Sequence, residues 1–153
     1  MPARTTDRSS GIRRTPAGRR AEVRHDRPPP RRGQRGVIQL KRAYDPPSRR
    51  DGVRILVDRV WPRGMTREQI RINAWLKDLG PSTRLRQWFG HDPRRWREFR
   101  QRYIGELAGK RILLDELSST ARRRPLTLVF GARDAIHNQA VVIKEVLERK
   151  RVR

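Results

Sequence analysis

The sequence predicts a small α/β domain, a mainly parallel sheet flanked by helices, preceded by a disordered basic tail. Three observations carry that expectation. Apolar runs of strand length begin at Val37, Val53 and Leu126. Helical periodicities fill the interval between the second and third runs and follow the third, the pattern of a parallel sheet with helical crossovers. The composition also changes abruptly at residue 37, with Arg, Pro, Gly, Ser and Thr dominating everything before it.

The first 36 residues hold 11 Arg, no Lys and three acids, a net charge of +8, with little apolar material beyond Ile12, Val23 and a few alanines. Such a segment cannot bury enough surface to offset the entropy of ordering, so disorder is expected. Arg13-Arg14 is not followed by the apolar stretch of an export signal, and no amphipathic periodicity supports a transit peptide. Two readings of residues 1–36 stand side by side. One is a nucleic-acid-binding arm. The other is translated GC-rich DNA ahead of a native start at Val37 or nearby, with residues 37–153 as the domain proper.

Within the domain, residues 37–44 form the first expected strand, ended by Asp45-Pro46-Pro47, because proline supplies no ladder donor. Asp51-Gly52 is a turn signal, and residues 53–57 are a second strand apolar enough for both faces to be covered. Thr66-Arg67-Glu68-Gln69 fits a capping box and starts a short helix. Ser82 caps another, carrying Leu85, Trp88 and Phe89, while Asp92-Pro93 combines an N-cap with proline at the first helical position. Behind it Trp96, Phe99, Tyr103 and Leu107 line one helical face, and Leu113, Leu114 and Leu117 mark a helix after or continuous with it. Residues 126–130 are the third strand, and Ile136, Ala140, Ile143 and Leu147 trace a final amphipathic helix with Asp134 as its cap.

Composition excludes several functions. There are 39 Lys and Arg against 16 Asp and Glu, a formal net charge of +23, of which the domain carries +15 by itself. That charge favours polyanionic partners without dictating a fold. The absence of cysteine excludes thiolate chemistry and Cys-ligated zinc. No apolar run of membrane-spanning length exists, so a cytoplasmic protein with no membrane partner is expected. There is no P-loop, GxGxxG or GxSxG, no particular cofactor is indicated, and the histidines lack metal-ligand spacing.

A parallel sheet gathers its strand C-termini on one edge, where open α/β folds bind ligands. The first strand delivers Lys41, Arg42 and Tyr44 there, the second Asp58, Arg59, Trp61 and Arg63, and the third Arg133, Asp134, His137 and Asn138. With Asp134 as cap, His137 and Asn138 fall in the first helical turn, where anions are favoured and a protonated imidazole is not. Guanidinium groups bind phosphate or carboxylate in bidentate fashion, so an anionic small molecule is the expected ligand. In this reading Arg42, Arg59 and Arg63 clamp the anion, Asp58 orients them, and His137 is acid or base aided by Asp134. Tyr44, Asn138 and His91 complete the candidate set. The plainer reading is structural: Asp58 and Asp134 neutralise neighbouring arginines, Asn138 satisfies a loop carbonyl, and His91 packs on a helix start. An enzyme or ligand-binding domain, a nucleic-acid-binding module acting through the basic surface, and a partner-binding protein all remain open. Trp61, Trp75, Trp88 and Trp96 serve as core before they serve as base-stacking platforms.

The stretches IQLKRAYDPPSxxDGxRxLVDRxWPRG, WLKDLGPSTxLRxWFGHDPxRWxEFRxRY and DxxHNQAVV, spanning residues 38–147, closely resemble the DUF488 family of small bacterial proteins and its YeaO-like branch. The resemblance implies that Arg42, Tyr44, Asp51, Arg54, Asp58, Arg59, Arg63, Lys77, Ser82, Arg86, His91, Asp134, His137 and Asn138 occupy the family's repeated polar positions. Two departures stand out. The cysteines of some family members are missing, and Phe130-Gly131-Ala132-Arg133-Asp134 replaces a Tyr-Ala-Ala-Lys-Asp pattern, so that an arginine stands where a lysine amine is usual.

Overall fold

The structure, a computed structural model, describes residues 36–152, so the expected tail lies outside the described residues except for Gly36. The order of elements is β1 (Ile38–Arg42), β2 (Val53–Leu56), α1 (Arg67–Ile70), β3 (Ala74–Trp75), α2 (Thr83–Phe89), α3 (Trp96–Leu107), α4 (Arg111–Arg123), β4 (Leu126–Phe130) and α5 (Gln139–Val152). The four strands form one sheet in the order β1-β4-β2-β3, and every pairing is parallel. β4 is flanked on both sides, with Leu128 opposite Leu40 and Ile55, and all five of its residues are buried. That position explains its uninterrupted apolar run, since a central parallel strand is covered on both faces.

The two faces carry separate cores. Ile38, Ile55, Leu126, Leu128 and Phe130 point into the larger one, shared with Phe99, Tyr103, Leu107, Leu114, Leu117, Ile143 and Leu147 from the helices. Leu56 and Val129 point the other way, against Ala43 and Ile70, with Trp61 and Trp75 beside them. Strand side chains alternate between faces, so neighbouring residues of β2 and β4 serve both cores.

The short elements start where the sequence signals lie. Thr66 Oγ1 accepts the Gln69 N–H while Gln69 returns a bond to Thr66 N–H, and Ser82 Oγ accepts the Leu85 N–H. Two local expectations are corrected, at β3 and at the start of α5, and two others are made specific. β3 is an additional edge strand of two residues, paired with Ile55 and Leu56. Asp92 and Pro93 open a 3-10 turn, Pro93–Arg95, ahead of α3. α3 and α4 are separate helices, parted at residues 108–110. α5 begins at Gln139, because Asp134 Oδ1 accepts the N–H groups of Ile136 and His137 and closes a turn instead of a helix. Asn138 is the residue whose Oδ1 and carbonyl oxygen receive the Val141 N–H, and Ile136 stands exposed, outside the helical face expected to hold it.

One buried ion pair fastens the opposite end of the sheet. Arg54, at the start of β2, donates Nη1 to Asp51 Oδ2 at 2.6 Å and Nη2 to the Ile70 carbonyl at 2.7 Å, and its Nε reaches the Ile70 and Arg71 carbonyls. Both residues are buried, and Lys41 Nζ adds a bond to Asp51 at 3.1 Å. Burial pushes the Asp51 carboxyl up, but bonds from Ser48 N–H, Lys41 and Arg54 outweigh it and hold the pKa below the usual carboxylate value. Removing one member of a buried pair strands the other charge. Asp51→Ala should therefore cost about 3–5 kcal/mol in urea unfolding. Glu98→Ala, which breaks the exposed pair with Arg102, should cost less than about 1 kcal/mol in the same measurement.

Candidate functional site

A cavity of about 290 Å³ opens beyond the C-terminal ends of the strands. Three connections build it: Tyr44 follows β1, residues 58–63 follow β2, and Gly131, Ala132, His137, Asn138 and Gln139 follow β4. Pro81, Arg86, Phe89 and His91 around α2 and Phe99 of α3 complete the lining. Of the polar residues expected at this edge, Tyr44, Asp58, Arg59, Arg63, His137 and Asn138 line the cavity, and Lys41, Arg42, Arg133 and Asp134 do not.

Asp58 holds the centre. Its Oδ2 accepts the Gly131 N–H at 2.8 Å, and its Oδ1 accepts a short hydrogen bond from Gln139 Nε2. Burial pushes its pKa up to about 6, against the opposing effects of these two bonds and of the Arg86 charge. No ion pair joins it to Arg59 or Arg63 among the described residues, so it does not orient those side chains as the sequence reading had it. The close approach explains Gly131: a Cβ there would sit 2.9 Å from Asp58 Oδ2. An alanine there would require that carboxylate to give way.

The loop that follows Asp58 is bound from several sides. Trp75 Nε1 donates to the Asp58 carbonyl at 2.7 Å, Trp61 Nε1 to the Met65 carbonyl at 2.6 Å, and Tyr44 Oη to the Arg63 carbonyl at 2.9 Å. Trp61 and Trp75 meet edge to face, with ring centroids 5.3 Å apart. Arg59 lines the cavity, but its guanidinium is spent on the Pro81 carbonyl at 2.8 Å and the Gly80 carbonyl at 2.9 Å. Gly80 permits this contact, since a Cβ there would stand 2.8 Å from Arg59 N. Arg42 lies outside the lining, donating Nε to the Ala132 carbonyl at 3.0 Å and stacking on Tyr44. Of the three expected clamps, Arg63 alone lines the cavity with a guanidinium that no described residue engages.

His137 and Asp134 form a pair, Nδ1 to Oδ2 at 2.8 Å. The bond from the imidazole, then those from the His137 and Ile136 N–H groups, holds the Asp134 pKa at about 2. An ionised carboxylate only accepts, so Nδ1 carries the proton and Nε2 is left without a protein partner among the described residues. Trp96 meets the imidazole edge to face at 5.3 Å, and Asn138, buried, donates Nδ2 to the Asp134 carbonyl at 2.9 Å. His91 lines the cavity from the end of α2 with φ of 58°, a conformation uncommon for a non-glycine residue.

Among the lining residues that were not candidates, three bear on the chemistry of the cavity. Arg86 has a readable signal, because it lies three residues before Phe89 on one face of α2 and both line the cavity. Gln139 was adjacent to the chosen Asn138, and Gly131 could be identified only from its distance to Asp58. The lining contains no Ser, Thr, Cys or Lys among the described residues.

Fold and cavity together define a small parallel α/β protein with a charged pocket at the carboxyl edge of its sheet. The chain belongs to the DUF488 family: residues 37–153 match the family model described as the inactive DUF488-N3 subclade. It is 40% identical over 110 residues to "Uncharacterized protein YeaO" of Escherichia coli K12, covering 72% of this chain and 96% of that protein. It is 36% identical over 110 residues to "Uncharacterized protein Rv3073c" of Mycobacterium tuberculosis H37Rv, covering 72% of this chain and 92% of that one. No solved structure matches it. Among the described residues no helix is long and apolar enough to cross a membrane.

Asp58 generates a pH signature. Its folded pKa of about 6 lies above the ordinary 3.8, so the folded state holds this proton more tightly than the unfolded chain. The associated stability is complete below 3.8 and lost as pH rises through 6, amounting at most to about 3 kcal/mol. Asp58→Asn removes the ionisation while keeping an oxygen for Gly131 N–H. Its melting temperature should exceed that of the wild type at pH 8 and match it near pH 3.5, measured by calorimetry.

Proposed function

We propose that this protein binds an anionic small molecule, phosphorylated or carboxylated, in the cavity at the carboxyl edge of its sheet, and holds it without turning it over. The observation that carries this reading is the lining's combination of two exposed arginines, Arg63 and Arg86, whose guanidinium groups no described residue hydrogen-bonds, with the aromatic side chains of Tyr44, Trp61, Phe89 and Phe99. Clefts with apolar walls and a few convergent polar groups are the usual form of small-molecule sites. Arginines already satisfied by the protein, such as Arg42 and Arg59, have little to offer a ligand; these two do.

Binding is favoured over catalysis for a chemical reason. Asp58, with a pKa of about 6, and the Asp134–His137 pair could move protons, but the lining offers no hydroxyl, thiol or amine nucleophile of the Ser, Thr, Cys or Lys kind among the described residues. The description of the matching subclade as inactive points the same way. A second reading, nucleic-acid binding, draws on the net charge of +23 and on Trp88, whose ring is flanked by the guanidinium groups of Arg95 at 5.3 Å and Arg102 at 4.6 Å.

Both readings are testable by titration. Inorganic phosphate and citrate at millimolar concentration should raise the melting temperature of the full chain. Arg63→Ala and Arg86→Ala should each weaken that effect about tenfold in concentration, the worth of one charge-assisted contact. An unchanged response in both variants would place the anions elsewhere. Affinity for a single-stranded oligonucleotide that survives the cavity variants and falls steeply from about 50 to 200 mM salt would support the second reading.

A further inference from the structure

We propose that the ligand of this cavity is a hydroxyl-bearing phosphate, its phosphate held by Arg63 and Arg86 and one of its hydroxyls hydrogen-bonded to Asp58. The inference rests on the anion-binding reading above and specifies the chemistry of the ligand. Two arginines line one cavity, and no described residue hydrogen-bonds either guanidinium; together they supply two positive charges and planar donor forks, which match a phosphate dianion better than a single carboxylate. Asp58 lines the same cavity, and each of its oxygens has one protein donor, Gly131 N–H or Gln139 Nε2. A carboxylate oxygen offers about two acceptor positions, so Asp58 retains capacity for a donor from the ligand. A purely anionic ligand would gain nothing from that carboxylate and would be repelled by it.

The donor is a hydroxyl on two grounds. A hydroxyl both donates and accepts, so it suits Asp58 and the Gln139 amide beside it, whereas an ammonium can only donate. The domain's net charge of +15, with Arg86 close enough to act on Asp58 electrostatically, also disfavours a cationic group at that end. Phe89, Phe99 and Trp61 line the same cavity and offer apolar contact to the ligand's carbon skeleton.

Calorimetric titration of the full chain with inorganic phosphate, ribose 5-phosphate and O-phosphoethanolamine tests this. Ribose 5-phosphate should bind at least tenfold more tightly than inorganic phosphate, and Asp58→Asn should bring the ratio of the two affinities close to one. The wild-type ratio alone decides, should the variant not fold. Equal affinities for phosphate and ribose 5-phosphate would overturn the hydroxyl contact and leave the anion site standing. Tighter binding of O-phosphoethanolamine than of ribose 5-phosphate would overturn the choice of a hydroxyl over an ammonium. Binding of none of the three would overturn the anion-binding reading and this inference with it.

Discussion

The cavity depends on one carboxylate, Asp58, enclosed between the exit of β2 and the entry to α5. Its two bonds, to Gly131 N–H and Gln139 Nε2, join segments more than 70 residues apart in sequence and set the distance between the loops that form the cavity walls. Everything around it conforms to that closure. Gly131 lacks a Cβ where one would meet the carboxylate, Trp75 fixes the Asp58 carbonyl from the second core, and Arg59 turns away to hold residues 80 and 81.

Two aspartates, Asp51 buried and Asp58 half-buried, show what the fold does with negative charge. Asp51 is matched by Arg54 and Lys41, and its pKa falls. Asp58 receives only neutral donors, and its pKa rises to about 6. In a chain with 39 basic residues, a half-buried carboxylate bonded only to an amide N–H and a glutamine stands out. Perturbed groups in clefts are where function concentrates. The arginines divide in the same manner. Arg42, Arg54, Arg59 and Arg100 are occupied by carbonyls or carboxylates, so their abundance says little, while Arg63 and Arg86 at the cavity have no such partner.

Much of the fold is legible in the sequence because local signals carry it. The apolar runs mark β1, β2 and β4, the capping box marks α1, the Ser82 cap marks α2, and the helical spacing of Trp96, Phe99, Tyr103 and Leu107 marks α3. β3 is not legible, since two residues have no periodicity and their pairing depends on the position of β2. At the site, the converging edge follows from parallel topology, which is why Asp58, Arg63, His137 and Asn138 line one cavity. The individual roles do not follow. Whether an arginine clamps a ligand or braces a loop depends on carbonyls tens of residues away: Gly80 and Pro81 for Arg59, Ala132 for Arg42. The N-terminus of α5 lies four residues beyond the expected one, because Asp134 and Asn138 are both good caps and Asp134 closes a turn of its own before the helix.

The most direct test of this account is the titration of the Asp58 side-chain carboxyl, followed by carbon NMR on protein labelled at aspartate and assigned with Asp58→Asn. A midpoint near 6 is expected, with Asp51 and Asp134 titrating below 3.8 in the same spectra. A midpoint near 4 for Asp58 would mean that the carboxylate is solvated or ion-paired, and the enclosed cavity built around it would be contradicted.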